Sequence, residues 1–139
     1  MNSEEIWRLT AQDLAKATTR GDITAEEATK ASIDRMQEVN PALNAVVMDL
    51  SEQALERARQ LDIDKVNGKN TGSLHGLPVT IKINVDQAGC PTSNGIPALQ
   101  NKIAKVDAPV VRNLQNAGAI VIGRTNTPEL SMRLTTDNP

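Results

Sequence analysis

Phenylalanine and tyrosine are absent from these 139 residues, and Trp7 is the sole tryptophan. Aromatic rings supply much of the buried area of most cores, so the packing here falls to Val, Ile, Leu, Met and Ala. Either a wholly aliphatic core or a packing surface completed by further residues would account for that composition. Cysteine is reduced to Cys90, which excludes an internal disulfide and suits a reducing compartment. Long apolar runs are missing too. Nothing approaches the ~18 residues of a membrane span, and the opening MNSEEIWRLT is acidic and polar where a secretory signal is basic and then apolar. Net charge is −2, with acids and bases interleaved, which excludes a basic nucleic-acid stripe and an acidic tail. The expectation is a cytoplasmic protein without a direct nucleic-acid or membrane partner.

What is present falls into two halves. Up to about residue 65 the chain reads as helices. Thr10 ahead of Asp13 is an N-cap pattern, Leu14 and Ala17 share a face, and Gly21 stops the turn. Thr24 with Glu27 makes a capping box for a helix to about Val39, along which Ile33, Met36 and Val39 recur at three-residue steps. Asn40-Pro41 is expected to end it, because proline disfavours the helical conformation in the residue before it. Leu43 to Met48 reads as a strand. Ser51 is expected to cap a third helix with the stripe Ala54, Leu55, Ala58 and Leu61. Asn67 to Gly72 is turn-rich and reads as a surface loop.

Beyond that loop the character changes. Leu77 to Val85 is a β-branched run with Pro78 at its start, where a missing N–H is tolerable. Asp86 to Val106 is a long irregular stretch, of the kind that is functional or disordered. Asp107 is expected to cap a helix with Pro109 in its first turn. Val110, Val111, Leu114 and Ala117 would face one way, and Gly118 would close it. Ala119 to Ile122 reads as a strand covered on both faces, and Thr127-Pro128-Glu129 as a further helix start. Strand, helix, strand is the rhythm of an α/β sheet, and two or three strands are too few to bury both faces. Residues 1–139 are therefore expected to form a single incomplete domain: a helical lead-in over 1–65, then the start of an α/β core over 74–139.

Lys82 is the leading candidate for chemistry. In an extended strand Val79, Ile81 and Ile83 point to one face, and Thr80, Lys82 and Asn84 to the other. A lysine near the C-terminal end of such a strand sits where α/β proteins build sites. If desolvated, its amine becomes a base near neutral pH; the competing reading is a lysine guarding an exposed strand edge. His75, the only histidine, has no partnered Ser or Cys and reads as structural. Cys90, with no histidine beside it, reads as inert. Asn126 either shapes a site wall or caps a turn with its side chain. No metal-ligand cluster and no glycine-rich phosphate loop is visible.

The order HGLPVTIKINVDQAGCPTSNGIPAL, then VDAPVVRNLQNAGAIVIGRTNTPELS, resembles the amidase signature family. That family shows a G-[IVL]-P-x-x-x-K run, a T-x-x-x-G-like loop, a D-A-x-V-V-x-x-L helix, then G-A-x-x-x-G-[KR]-T-N and x-P-E. The resemblance covers residues 74 to 134, and GDITAEEATKASIDRMQEVNPALNAVV is similar in type to the family's N-terminal helices. It implies the N-terminal part of an α/β/α fold, with a mixed or parallel sheet flanked by helices. It also implies a Ser–cis-Ser–Lys triad in which Lys82 is the base. The two serines belong to a Gly-Gly-Ser-Ser-Gly-rich segment that these residues do not contain, and Ser73 and Ser131 lie in other contexts. One position departs from the pattern: Ile83 follows the lysine where the family commonly has Asp.

The expected function is an amide hydrolase turning a small-molecule carboxamide into a carboxylate and ammonia through a serine acyl-enzyme, with no cofactor and no metal. The 139 residues are expected to be inactive alone, for want of the serines. A homo-oligomer is compatible with this reading. The alternatives are the glutamine-hydrolysing subunit of a tRNA-dependent amidotransferase, which shares the signature, and a non-catalytic binding or assembly module.

Overall fold

The structure, a computed structural model, describes residues 2–138. Its first half is helical because capping signals follow one another closely. Helix α1 (Ser3–Trp7) opens on a reciprocal box between Asn2 and Glu5. Thr10 accepts the Asp13 amide to open α2 (Ala11–Arg20), which Gly21 closes in the left-handed region at φ 87°. Thr24 and Glu27 form the expected box at the head of α3 (Ala25–Leu43). Helix α3 then runs through Asn40-Pro41, past its expected end near Val39. Pro41 lies in the last turn, where it deletes a single hydrogen bond, and Asn44 closes the helix by donating its amide to the Asn40 carbonyl at 2.7 Å. The strand expected from Leu43 consequently starts later, as β1 (Val46–Asp49). The Asn40 side-chain amide clamps both backbone polar groups of Val46, each at 2.8 Å.

Helix α4 (Ser51–Val66) has Leu50 as its N-cap, one residue before the expected Ser51. Asp49 supplies the missing acceptor: its carboxylate takes the Ser51 amide at 2.7 Å and the Ser51 hydroxyl as well. Helices α3 and α4 meet largely through alanines. Ala25, Ala54 and Ala58 pack with Ile33, Leu61, Ile120 and Ile122 in one cluster. Ile6, Leu14, Ala17, Ile23, Ala28, Ala31 and Leu77 form a second. Small side chains let helix axes approach closely, so a core without Phe or Tyr still closes. Trp7, half-buried, packs against the second of these clusters, with the guanidinium groups of Arg8 and Arg35 each 4.6 Å from its ring centre.

The second half contains β2 (Pro78–Lys82), α5 (Pro109–Asn116) and β3 (Ile120–Thr125). The sheet order is β1-β3-β2, with β3 parallel to β2 and antiparallel to β1. This is the expected mixed sheet with flanking helices. Strand β3 runs three residues past its expected end at Ile122, because Gly123, Arg124 and Thr125 continue to pair with β2. Ala108, not Asp107, is the N-cap of α5. Asp107 instead accepts the Ala88 amide at 2.8 Å and ties the long loop to the helix start. Val111 is fully buried, whereas Val110 is 53% exposed; the ~100° turn between neighbours carries it off the apolar face.

The stretch 86–106 is ordered by its own backbone pairing. Gly89 donates to Ala104, Ala104 to Cys90 and Thr92 to Lys102, and Pro91 bridges Ile103. The helix expected from Thr127 is a single 3₁₀ turn, Glu129–Ser131, interrupted by Leu130 at φ 53°. Among the described residues no helix is long and apolar enough to cross a membrane.

Gly118 follows α5 at φ 93°, and a Cβ there would strike the Thr71 carbonyl oxygen and come within 3.0 Å of His75 Cα. Gly118→Ala is expected to lower the unfolding free energy by at least about 2 kcal/mol. Urea denaturation checks it: the midpoint falls at constant slope, and an unmoved midpoint would show that the backbone relaxes there freely.

Candidate active site

Lys82 is the last residue of β2. The alternation is as expected: Ile81 and Ile83 are buried, whereas Thr80 and Lys82 are exposed. Ile81 pairs with Arg124 and Lys82 with Thr125, so the lysine emerges at the C-terminal end of two parallel strands. Its Nζ lies 3.4 Å from Ser131 Oγ. Asn84 Nδ2 donates to the same oxygen at 3.1 Å, and Thr127 Oγ1 lies 2.8 Å from it. Lys82, Asn84 and Thr127 thus converge on one hydroxyl.

Sequence reasoning put Asn84 on the strand face of the lysine, but it set Ser131 aside and did not single out Thr127. They meet because β2 and β3 end on the same side of the sheet, and the chain after β3 turns back toward the end of β2. Leu130 and Ser131 hold left-handed backbone conformations at φ 53° and 60°, which non-glycine residues adopt only when their surroundings impose it. Here the Leu130 amide is anchored on the Asn94 carbonyl at 2.8 Å. The one signal for this grouping was the run of hydroxyl and amide side chains just after each strand, at Asn84 and at Asn126-Thr127.

Asn126 works as a turn cap: its Oδ1 accepts the Thr127 amide at 2.8 Å. It also lines a cleft of about 390 Å³ with Ile83, Pro91, Ile96 and Asn138. A larger apolar cleft of about 470 Å³ lies between Ala11, Ala15, Leu74 and Leu77 and contains none of the groups around Lys82. Cys90 is free and buried in the loop after the lysine. Lys82 itself is exposed, and no low-dielectric wall covers it among the described residues. Among those residues no group of three or more His, Cys, Asp or Glu side chains is arranged to hold a metal ion.

The family model for Amidase matches residues 27–139. The chain belongs to the Amidase family. Indoleacetamide hydrolase of Bradyrhizobium diazoefficiens is 55% identical over 134 residues, which cover 96% of this chain and 26% of that protein. A glutamyl-tRNA(Gln) amidotransferase subunit from Moorella thermoacetica is 37% identical, over 96% of this chain and 28% of that protein. A solved bacterial aryl acylamidase of the amidase signature enzymes superposes with a TM-score of 0.87 at 28% identity, over 94% of this chain and 27% of that one. The chain spans about a quarter of the length of these relatives. Lys82, Asn84, Thr127 and Ser131 all lie within the Amidase match.

His75 in this Amidase chain precedes β2 at the end opposite Lys82 and does not join it. The residue is 1% exposed, with no hydrogen-bond partner for either ring nitrogen among the described residues. Burial holds its pKa below the ordinary 6.5; the Lys65 ammonium adds to the lowering, and Asp62, 3.8 Å away, opposes it. The unfolded chain therefore binds this proton more tightly than the folded one. As pH falls below 6.5 only the unfolded state gains it, and stability drops until the folded-state pKa is passed. Stability is expected to decline as the pH falls below about 6.5. His75→Gln should flatten that decline. Denaturation midpoints across the decline check it, and an unchanged slope would assign the dependence to other groups.

Proposed function

We propose that the protein carrying this chain is an amide hydrolase that converts a small carboxamide to a carboxylate and ammonia through a serine acyl-enzyme, with Lys82 as the base. The observation that carries the proposal is the Lys82 amine at the end of a parallel strand pair, 3.4 Å from a hydroxyl. An uncharged amine in that position takes the proton of a neighbouring hydroxyl. That oxygen in turn takes the proton of the serine attacking the carbonyl. Collapse of the tetrahedral intermediate returns the proton to the departing ammonia, and water then cleaves the ester by the same relay. In the amidase signature pattern the attacking serine and the relaying serine both come from a segment outside these 139 residues. We assign Ser131, with Asn84 and Thr127, to holding the Lys82 amine.

Several observations support the wider reading. The 55% identity to an indoleacetamide hydrolase makes indole-3-acetamide the first substrate to test. Coverage of about a quarter of each relative supports residues 1–139 being part of one larger domain. Cys90, free and buried, supports a cytoplasmic setting. The 37% identity to one component of an amidotransferase supports a second reading, glutamine hydrolysis within a tRNA-dependent amidotransferase. Co-purifying partner proteins would favour that reading over the first. A non-catalytic assembly module is the reading that remains if Lys82 is dispensable.

In the full-length gene product Lys82→Ala is expected to lower kcat on the cleaved amide by at least about 10³-fold, because triad members act as a unit. Ser131→Ala is expected to cost far less, about tenfold. Ammonia release measures both, and a Lys82→Ala enzyme of undiminished rate would remove the catalytic assignment. Residues 1–139 alone are expected to give no turnover. Turnover by them that Lys82→Ala abolishes would mean that the nucleophile lies within this chain.

A further inference from the structure

Arg124 is the largest side chain that the fold buries completely, 0% exposed on β3. Guanidinium groups stay charged in proteins, and a buried charge without a counter-ion is strongly destabilising. Among the described residues no carboxylate forms an ion pair with it. Nε and Nη1 have no hydrogen-bond partner there either. Its hydrogen bonds all leave from Nη2, to the carbonyl oxygens of Lys82 at 3.3 Å and Val85 at 2.7 Å. A strand selected for stability alone would continue with aliphatic residues, as it does at Ile120 and Ile122.

The two carbonyls bracket the turn by which the chain leaves β2. Within that turn the Val85 amide donates to the Lys82 carbonyl at 3.0 Å, and the Ile83 amide to the Thr125 carbonyl at 2.9 Å. The guanidinium thus grips the main chain of Lys82 itself and of the residue three positions on. The lysine side chain is exposed, and its one polar contact among the described residues, at its tip, is long at 3.4 Å. Its aim therefore depends on its backbone more than on packing. Both carbonyl contacts converge on a single nitrogen of a rigid planar group, which fixes their spacing. We infer that Arg124 is a positioning residue for Lys82, clamping the Lys82 and Val85 carbonyls so that the amine is held over the reacting hydroxyls. This inference rests on Lys82 being the base.

The test uses the full-length gene product, with ammonia release from indole-3-acetamide as the readout and rates normalised to folded protein by circular dichroism. Arg124→Met is expected to lower kcat about tenfold or more while KM stays put. Arg124→Lys should recover part of the loss, since its ammonium still reaches one carbonyl. Added to Lys82→Ala, Arg124→Met should lower the residual rate no further, because both changes remove the same function. A parental kcat in Arg124→Met overturns the inference, and so does an equal loss in both backgrounds, which is what a general structural role produces. If Arg124→Met does not fold, Arg124→Lys decides: reduced kcat at constant KM supports the clamp, and a parental kcat overturns it. A Lys82→Ala enzyme at full rate would instead sink the catalytic reading, and the inference with it, before Arg124 is changed.

Discussion

Strand β3 is hydrogen-bonded on both sides, antiparallel to β1 and parallel to β2, and the rest of the molecule is arranged by that pairing. Ile120 and Ile122 give it the apolar side on which Ala54, Ala58 and Leu61 of α4 and Ile33 of α3 pack. Its last residues, Arg124 and Thr125, set the position of the end of β2 and hence of Lys82. A parallel pair cannot be closed by a tight turn; it needs a crossover. That requirement accounts for the long excursion over residues 83–119, with α5 inside it. The same excursion, through Pro91 and Ile96, builds one wall of the cleft that Ile83 and Asn126 also line.

The helical lead-in is joined to the sheet by polar links as well as by alanine packing. Asp62 of α4 accepts the amides of Ala25 and Glu26 at 2.8 and 3.0 Å, supplying acceptors for orphan donors at the head of α3 that its own capping box leaves unmet. Thr18 of α2 donates its hydroxyl to the His75 carbonyl at 2.6 Å, and Lys65 donates to the Thr18 carbonyl at 2.6 Å. These contacts join α2, α4 and the segment entering β2 at the end of the strand away from the lysine. One end of β2 is thereby anchored in the apolar core, and the other presents polar groups. This division suits a site whose reactive groups must be held rigidly and still meet solvent or substrate.

The polar end carries backbone features that stability alone does not explain. Leu130 and Ser131 sit in left-handed conformations, and Arg124 is buried without a counter-ion among the described residues. Both lie within the segment from 124 to 131, directly beside the lysine. Concentration of strained or electrostatically costly groups in one place is typical of functional sites.

Much of this was readable along the chain. The caps at Thr10, Gly21, Thr24 and Glu27, the alternation that exposes Lys82 between two isoleucines, and the family motifs all depend on residues within a few positions of one another. Their physics is local, so one stretch of sequence contains both partners. The continuation of α3 through Pro41, the α4 cap at Asp49 and Leu50 and the exposure of Val110 also rest on contacts or turns within a few positions, but propensity does not rank which of several adjacent residues takes each role. Tertiary structure alone decided the meeting of Lys82 with Ser131, and the burial of Arg124 against the carbonyls of Lys82 and Val85. In both cases the partners are more than thirty-five positions apart. Nothing in the local propensity of Ser131 or Arg124 indicates a partner, because those contacts exist only once two parallel strands have been brought together by their crossover.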